Sequence, residues 1–134
     1  MAKKLTKNFS LWEFKCKDGT TVPKELLQNV QLLAENLQVL RDEIDQPIDL
    51  ISGYRTPHYN DIVLPSRKIK TAKRSQHKKA KAGDISVRDM TPDEVADKIE
   101  ELIKQRKMKQ GGLGRYRGFT HYDVRGRKSR WDNR

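Results

Sequence analysis

Cysteine is almost missing. Cys16 stands alone in a chain of 134 residues, which excludes an internal disulfide and any cysteine-built zinc site. Long apolar runs are missing as well: no stretch approaches the ~20 residues that a membrane span needs. Histidine is scarce, with only His58, His77 and His121. Acid is short relative to base, 18 Asp and Glu against 29 Lys and Arg, for a net charge of +11. That excess predicts attraction to polyanions, whether nucleic acid, an anionic membrane surface or an anionic cell wall. Hydrophobic residues make up 34% of the chain, so the core is modest. A chain of this length still closes a core without disulfide staples. The opening residues "MAKKLTKNFSLWEF" are basic and lack an apolar h-region. They predict no signal peptide and synthesis in the cytoplasm. Action outside the cell then needs lysis, another export route or a carrier assembly.

The length suggests one domain over 1–134, with a core of about 9–126 and a basic C-terminal tail, 127–134. "NFSLWEFKC" offers Phe9, Leu11, Trp12 and Phe14 for burial, and "KDGTTVP" reads as a turn. The clearest helix is 23–44, where Leu26, Val30, Leu33, Leu37, Leu40 and Ile44 recur at spacings of three and four. Pro23 suits its first turn. "PIDLISGY" (47–54) reads as a short strand, and "DISV" (84–87) as another. Between them runs a long basic loop, functional or mobile by its length. A second helix covers 91–105, with Thr91 as N-cap, Pro92 at N1 and Glu94 completing a capping box. "GGLGRYRGFTHYDVRG" (111–126) reads as two short strands around a turn. Helices and strands mix without a regular βαβ repeat. The expected class is α+β, a small antiparallel sheet with packed helices in a single domain.

The unusual chemistry concentrates in "SGYRTPHYN", "SQHKKAKAGD" and "FTHYDVRG", and each histidine lies in one of them. Zinc accepts imidazole nitrogen and carboxylate oxygen, and a catalytic site leaves a position open. His77, Asp84 and His121 would supply such a set. Asp84 opens one strand and His121 lies on another, and strands ~4.8 Å apart let both side chains meet if they share a face. Spacing alone is weakly specific, and a surface or core histidine is the commoner alternative.

Taken together the motifs are more specific. "SQHKKAKAGD" resembles the Ser-x-His-x-x-Gly-x-Ala-x-Asp motif of the M15 family of zinc D-Ala-D-Ala carboxypeptidases and related peptidoglycan endopeptidases. "SGYRTPHYN" resembles that family's Ser-Gly-Tyr-Arg-Thr/Ser-Pro-x-Tyr-Asn. "GGLGRYRGFTHYDVRG" is similar to its Gly-Gly-x-Gly-x-Tyr…Phe-x-His-x-Asp-x-Arg ending. The resemblance runs in order from about Phe9 to Arg125. It implies an M15, hedgehog-like zinc peptidase fold, one Zn2+ per chain, and metal ligands at His77, Asp84 and His121. It implies that Arg55 faces the site, able to hold a substrate carboxylate or a developing oxyanion. Ser75 would sit near His77 as a donor that orients it, or simply as a turn serine. Tyr54 and Tyr59 read as packing, with hydroxyls that reach the site rim, and Asn60 as a tie for the loop backbone.

The sequence departs from the family twice. Ala80 replaces the glycine of His-x-x-Gly, which fails if that position needs positive φ. Several relatives carry an acid three residues before the last histidine, where this chain has Gly118. Asp123 shares a strand face with His121. It is the candidate general base, or else a structural carboxylate that pairs with Arg125 or fixes a neighbour. His58, after a proline in an exposed loop, is a weak candidate.

The resemblance implies a substrate among the short peptides of peptidoglycan, cut at the D-Ala-D-Ala end, the cross-bridge or the L-Ala-D-Glu bond. With the basic charge it suggests a bacteriophage-type endolysin or a tail-associated lysin, acting on the wall after release or as part of a particle. Two other readings stand beside it. One is a catalytically degenerate domain that binds zinc or wall peptide without cutting. The other is a nucleic-acid-binding module, since residues 67–81 hold eight Lys or Arg and no acid. No helix-turn-helix, RRM or zinc-finger pattern accompanies that run, so nucleic acid is the less favoured partner. A monomer is the simplest state, though no pattern encodes it.

Overall fold

The leucine stripe builds the longest element. The computed structural model describes residues 3–134, and in it α1 spans Leu27–Ile44. Pro23 does not open this helix. It leads a single 3-10 turn, Lys24–Leu26, that feeds into α1. Val30, Leu33, Leu37 and Leu40 are fully buried on one face, while Leu26 and Ile44 at the two ends are partly covered. Each fully buried leucine contributes about 1.5–3 kcal/mol. The helix ends where Asp45 takes a left-handed φ of 51°.

Strand β1 (Ile48–Ser52) follows. The long loop is not structureless. Tyr59–Val63 form a π-helical stretch that continues into a short helix, α2 (Leu64–Ser66), and Gln76–Lys79 make a 3-10 turn. Then come β2 (Ala82–Val87) and α3 (Pro92–Lys104). The N-terminus of α3 carries the expected capping box, with Thr91 Oγ1 accepting from the Glu94 N–H and Glu94 accepting from the Thr91 N–H. Val95, Ile99, Leu102 and Ile103 are its buried face. Strands β3 (Gly112–Arg115) and β4 (Thr120–Asp123) form the hairpin read in the glycine-rich segment.

The tail holds a strand of its own, β5 (Ser129–Asp132). The sheet order is β1-β2-β4-β3-β5. Four strands are antiparallel to their neighbours, as expected, but β5 joins β3 in parallel. The reason is topological. The chain reverses after β4 and settles on the far side of β3, so β5 runs the way β3 does. The α+β class holds, with a mixed sheet in place of a purely antiparallel one.

The two faces of the sheet divide the work. Ile85, Leu113 and Tyr122 are buried in the core together with α1 and α3. The opposite face carries a row set by register: Ser52, Asp84, His121, Gly114 and Trp131 are successive partners across the five strands. Partners in register share a face. A slip in pairing between Leu50 and Ser52 is what brings Ser52 opposite Asp84.

Candidate metal centre

Asp84 and His121 face each other on β2 and β4, and the loop before β2 delivers His77. The 3-10 turn that carries His77 is capped by Ser75, whose Oγ accepts from the His77 N–H at 3.2 Å. Two further bonds lace this turn to the end of β1. His77 Nδ1 lies 2.7 Å from the Gly53 carbonyl, and the Arg55 N–H donates to the His77 carbonyl at 3.0 Å. One ligand atom each from His77, Asp84 and His121 lies within 4.8 Å of the others, and all three residues are buried.

Hydrogen-bond logic sets the tautomers. A carbonyl only accepts, so His77 Nδ1 carries the proton and Nε2 presents a lone pair. That Nε2 sits 3.3 Å from Asp84 Oδ1. His121 Nε2 lies 2.7 Å from Asp123 Oδ2, which also only accepts, so the His121 proton is committed there. His121 Nδ1 then faces Asp84 Oδ1 at 3.0 Å, acceptor to acceptor. With His121 neutral, three lone pairs converge on one point, and either a metal ion or a second proton on His121 relieves them.

The electrostatics support an ionised Asp84 and a neutral His77. Burial works to raise the Asp84 carboxyl, but the two imidazoles beside it outweigh burial and hold Asp84 well below the usual carboxylate range. Burial depresses His77 and keeps it neutral, as a ligand must be. Burial also pushes His121 down, yet bonds to Asp123 and Asp84 prevail and raise it, so its Nδ1 holds either a proton or a metal ion against Asp84. The donor set fits zinc: two imidazole nitrogens and a carboxylate oxygen, each with its other end held. The Gly53 carbonyl holds His77, Arg55 holds Asp84 Oδ2 at 3.2 Å, and Asp123 holds His121.

Arg55 is nearly buried and fans out to Ser52 Oγ, Asn60 Oδ1 and Asp84 Oδ2. Asn60 also ties the basic loop by donating to the Ala72 carbonyl, as expected. Asp123 is fully buried on the far side of His121. It takes Arg125 Nε and Nη2 at 2.9 Å each and the Gly112 N–H at 2.9 Å. Gly112 has no room for a Cβ because that carboxylate occupies the space. Ser75 lies at the cleft, but its resolved bond caps the turn. Tyr54 is packed in the core and Tyr59 beside it; neither lines the cleft. His58 is exposed and stands apart from the cluster, and Gly118 lies exposed in the β3–β4 turn.

The ligand cluster opens onto a cleft of about 730 Å³. Arg55, Lys70, Arg74 and Arg125 line it, with Tyr116, Phe119 and Trp131 on the β3–β5 side. Among the described residues Asp84 is the only carboxylate in the lining. The glycine-rich motif contains Tyr116 and Phe119 without assigning them a role, and the sequence places Trp131 only in the tail. The register that puts Trp131 beside His121 was the missing information.

An α+β domain with a buried His-Asp-His cluster at the floor of a cleft has the architecture of a metal-dependent hydrolase. The sequence model of a family described as Peptidase M15 matches residues 4–123. The chain belongs to the M15 peptidase family, whose members depend on zinc. No curated protein and no solved structure matches it. Among the described residues, no helix is long and apolar enough to cross a membrane.

Proposed function

We propose that the protein is a zinc peptidase that hydrolyses peptide bonds in peptidoglycan, as carboxypeptidase or endopeptidase, in the manner of a lysin. The observation that carries this reading is the convergence of His77 Nε2, Asp84 Oδ1 and His121 Nδ1 at the floor of an open, basic cleft. Wall stem peptides carry free carboxylates, and the lining supplies cations for them. When bound, zinc supplies Lewis-acid polarisation of a carbonyl and a lowered pKa for water.

The chain's own residues divide the remaining tasks. His77, Asp84 and His121 hold the ion. Arg55, fixed by Ser52, Asn60 and Asp84, keeps a guanidinium at the site edge to grip a carboxylate or carbonyl oxygen. Asp123 is enclosed by His121, Arg125 and Gly112, and this geometry supports a role in holding His121 over a role as general base.

The test pairs metal content with digestion of purified peptidoglycan, with and without a chelator. About one zinc per chain and chelator-sensitive release of peptides are the expected results. A second reading has its own support: no free carboxylate lines the cleft among the described residues. Zinc without hydrolysis would favour a wall-peptide-binding domain. Failure to take up zinc would sink both readings.

A further inference from the structure

Trp131 lies beyond residue 123, where the family match ends, and the family motifs assign it nothing. The parallel pairing of β5 places it in the same cross-sheet row as Asp84 and His121. Gly114 stands between His121 and Trp131, and a Cβ there would run into the indole. The indole therefore reaches across a bare backbone, and its ring centre comes to 4.9 Å from that of His121. Arg125 covers it at 5.5 Å. An indole N–H can only donate, and this one donates to the Tyr116 hydroxyl at 2.9 Å. On its other side Tyr116 stacks on Phe119, with ring centres 4.3 Å apart.

Tyr116 is thus locked twice. Its oxygen accepts from Trp131, and among the described residues its own proton goes to no protein atom. Tyr116 lines the same cleft as the metal-binding residues. Arg55 stands at the β1 end of the row and Tyr116 at the β3–β5 end, with the ligands between them. A hydroxyl that already accepts from an N–H is a stronger donor. One that needs no reorganisation is most effective where charge develops in a transition state.

We propose that Tyr116 is a catalytic residue whose hydroxyl donates a hydrogen bond to the carbonyl oxygen of the bond being cut, and that Trp131 is the residue that positions it. The proposal rests on the peptidase reading above and adds a second donor, opposite Arg55, positioned by a residue that lies outside the family match.

The experiment uses the zinc-loaded full chain and soluble muropeptides released from peptidoglycan. Tyr116→Phe removes one O–H and keeps the ring on Phe119. Its kcat falls about 100-fold or more, the size found for a lost oxyanion donor, while KM and zinc content stay near wild type. Trp131→Phe, which loses the N–H together with the five-membered ring but keeps an aromatic side chain, lowers kcat in the same direction. The double variant falls no further than Tyr116→Phe alone, because Trp131 acts through Tyr116. A phosphinate dipeptide, tetrahedral and anionic, binds Tyr116→Phe more weakly by a similar factor in calorimetry. A Tyr116→Phe enzyme with wild-type kcat overturns the proposal and leaves the peptidase standing. Additive losses in the double variant overturn the positioning role of Trp131. A zinc-loaded wild type that cuts no wall peptide removes the peptidase reading and this proposal with it.

Discussion

Asp123 shows how much one residue's surroundings decide. On sequence it shares a face with His121, and both a base and a brace satisfy that fact. The structure buries it completely behind the imidazole, with its oxygens taken by Nε2, a guanidinium and a backbone N–H. Burial alone would raise its pKa, but His121 and Arg125 prevail and keep it ionised. A buried, charged partner on the outer nitrogen of a ligand histidine fixes the ring and sharpens its basicity. Asp123→Asn should therefore weaken zinc binding by about 10–100-fold in a chelator competition, because the amide cannot hold the ring with a full charge. Gly112→Ala should act in the same direction by pushing the carboxylate aside. A general base would behave otherwise: its loss would stop turnover and leave zinc affinity intact. Ala80 is the other instructive residue. It does adopt positive φ, 56°, at the end of the turn that carries His77. Alanine tolerates the left-handed region at a cost of about 1–2 kcal/mol, so the missing glycine strains the turn without abolishing it.

Elements divide into those that announce themselves and those made by their neighbours. Helix α3 belongs to the first kind. Thr91, Pro92 and Glu94 spell its start, Asp93 and Glu94 add favourable charge in the first turn, and Asp93 and Asp97 pair with Arg115. Thr91→Ala removes the cap and should cost about 1 kcal/mol in urea unfolding, with zinc binding and turnover unchanged. A loss of activity in that variant would show that the cap reaches the site through Thr120, whose hydroxyl donates to the Pro92 carbonyl. Strand β5 belongs to the second kind. "SRWD" has no apolar alternation, and its basic surroundings read as a tail. Its strand character comes from pairing with β3, and Arg130 is anchored by Glu100 on α3 at 2.7 and 2.8 Å. The π-helical stretch Tyr59–Val63 escaped notice for a similar reason, since prolines at 57 and 65 interrupt any helical period. The candidate metal ligands were legible because they sit in local motifs. The place of Trp131 beside them was not, because it meets His121 across Gly114 only through cross-strand register, which local sequence does not encode.

At the scale of the whole molecule, charge is the dominant property. Most acids near the site are spent on internal partners: Asp84 on Arg55 and the histidines, Asp123 on Arg125, Asp61 on Lys78. Arg67, Lys68, Lys70, Lys73 and Arg74 are left exposed on the loop, and Lys70 and Arg74 reach the cleft wall. Part of the +11 surplus is therefore displayed beside the cleft. Such a field raises the local concentration of an anionic polymer and acts mainly on association. It is screened over a Debye length of about 10 Å at 0.1 M salt and about 3 Å at 1 M. The buried Arg55–Asp84 pair, at 3.2 Å, is shielded far less. Cosedimentation with purified walls should accordingly fall steeply as sodium chloride rises from 0.1 to 1 M, while turnover of short soluble muropeptides changes only slightly. Lys70→Glu with Arg74→Glu should reproduce the high-salt loss of wall binding at 0.1 M and leave zinc content intact. Wall binding indifferent to salt would mean that contacts inside the cleft, not the basic loop, hold the polymer. Equally tight, salt-sensitive binding to unrelated DNA would mean that the loop recognises polyanions in general, so that any preference for the wall comes from the cleft alone.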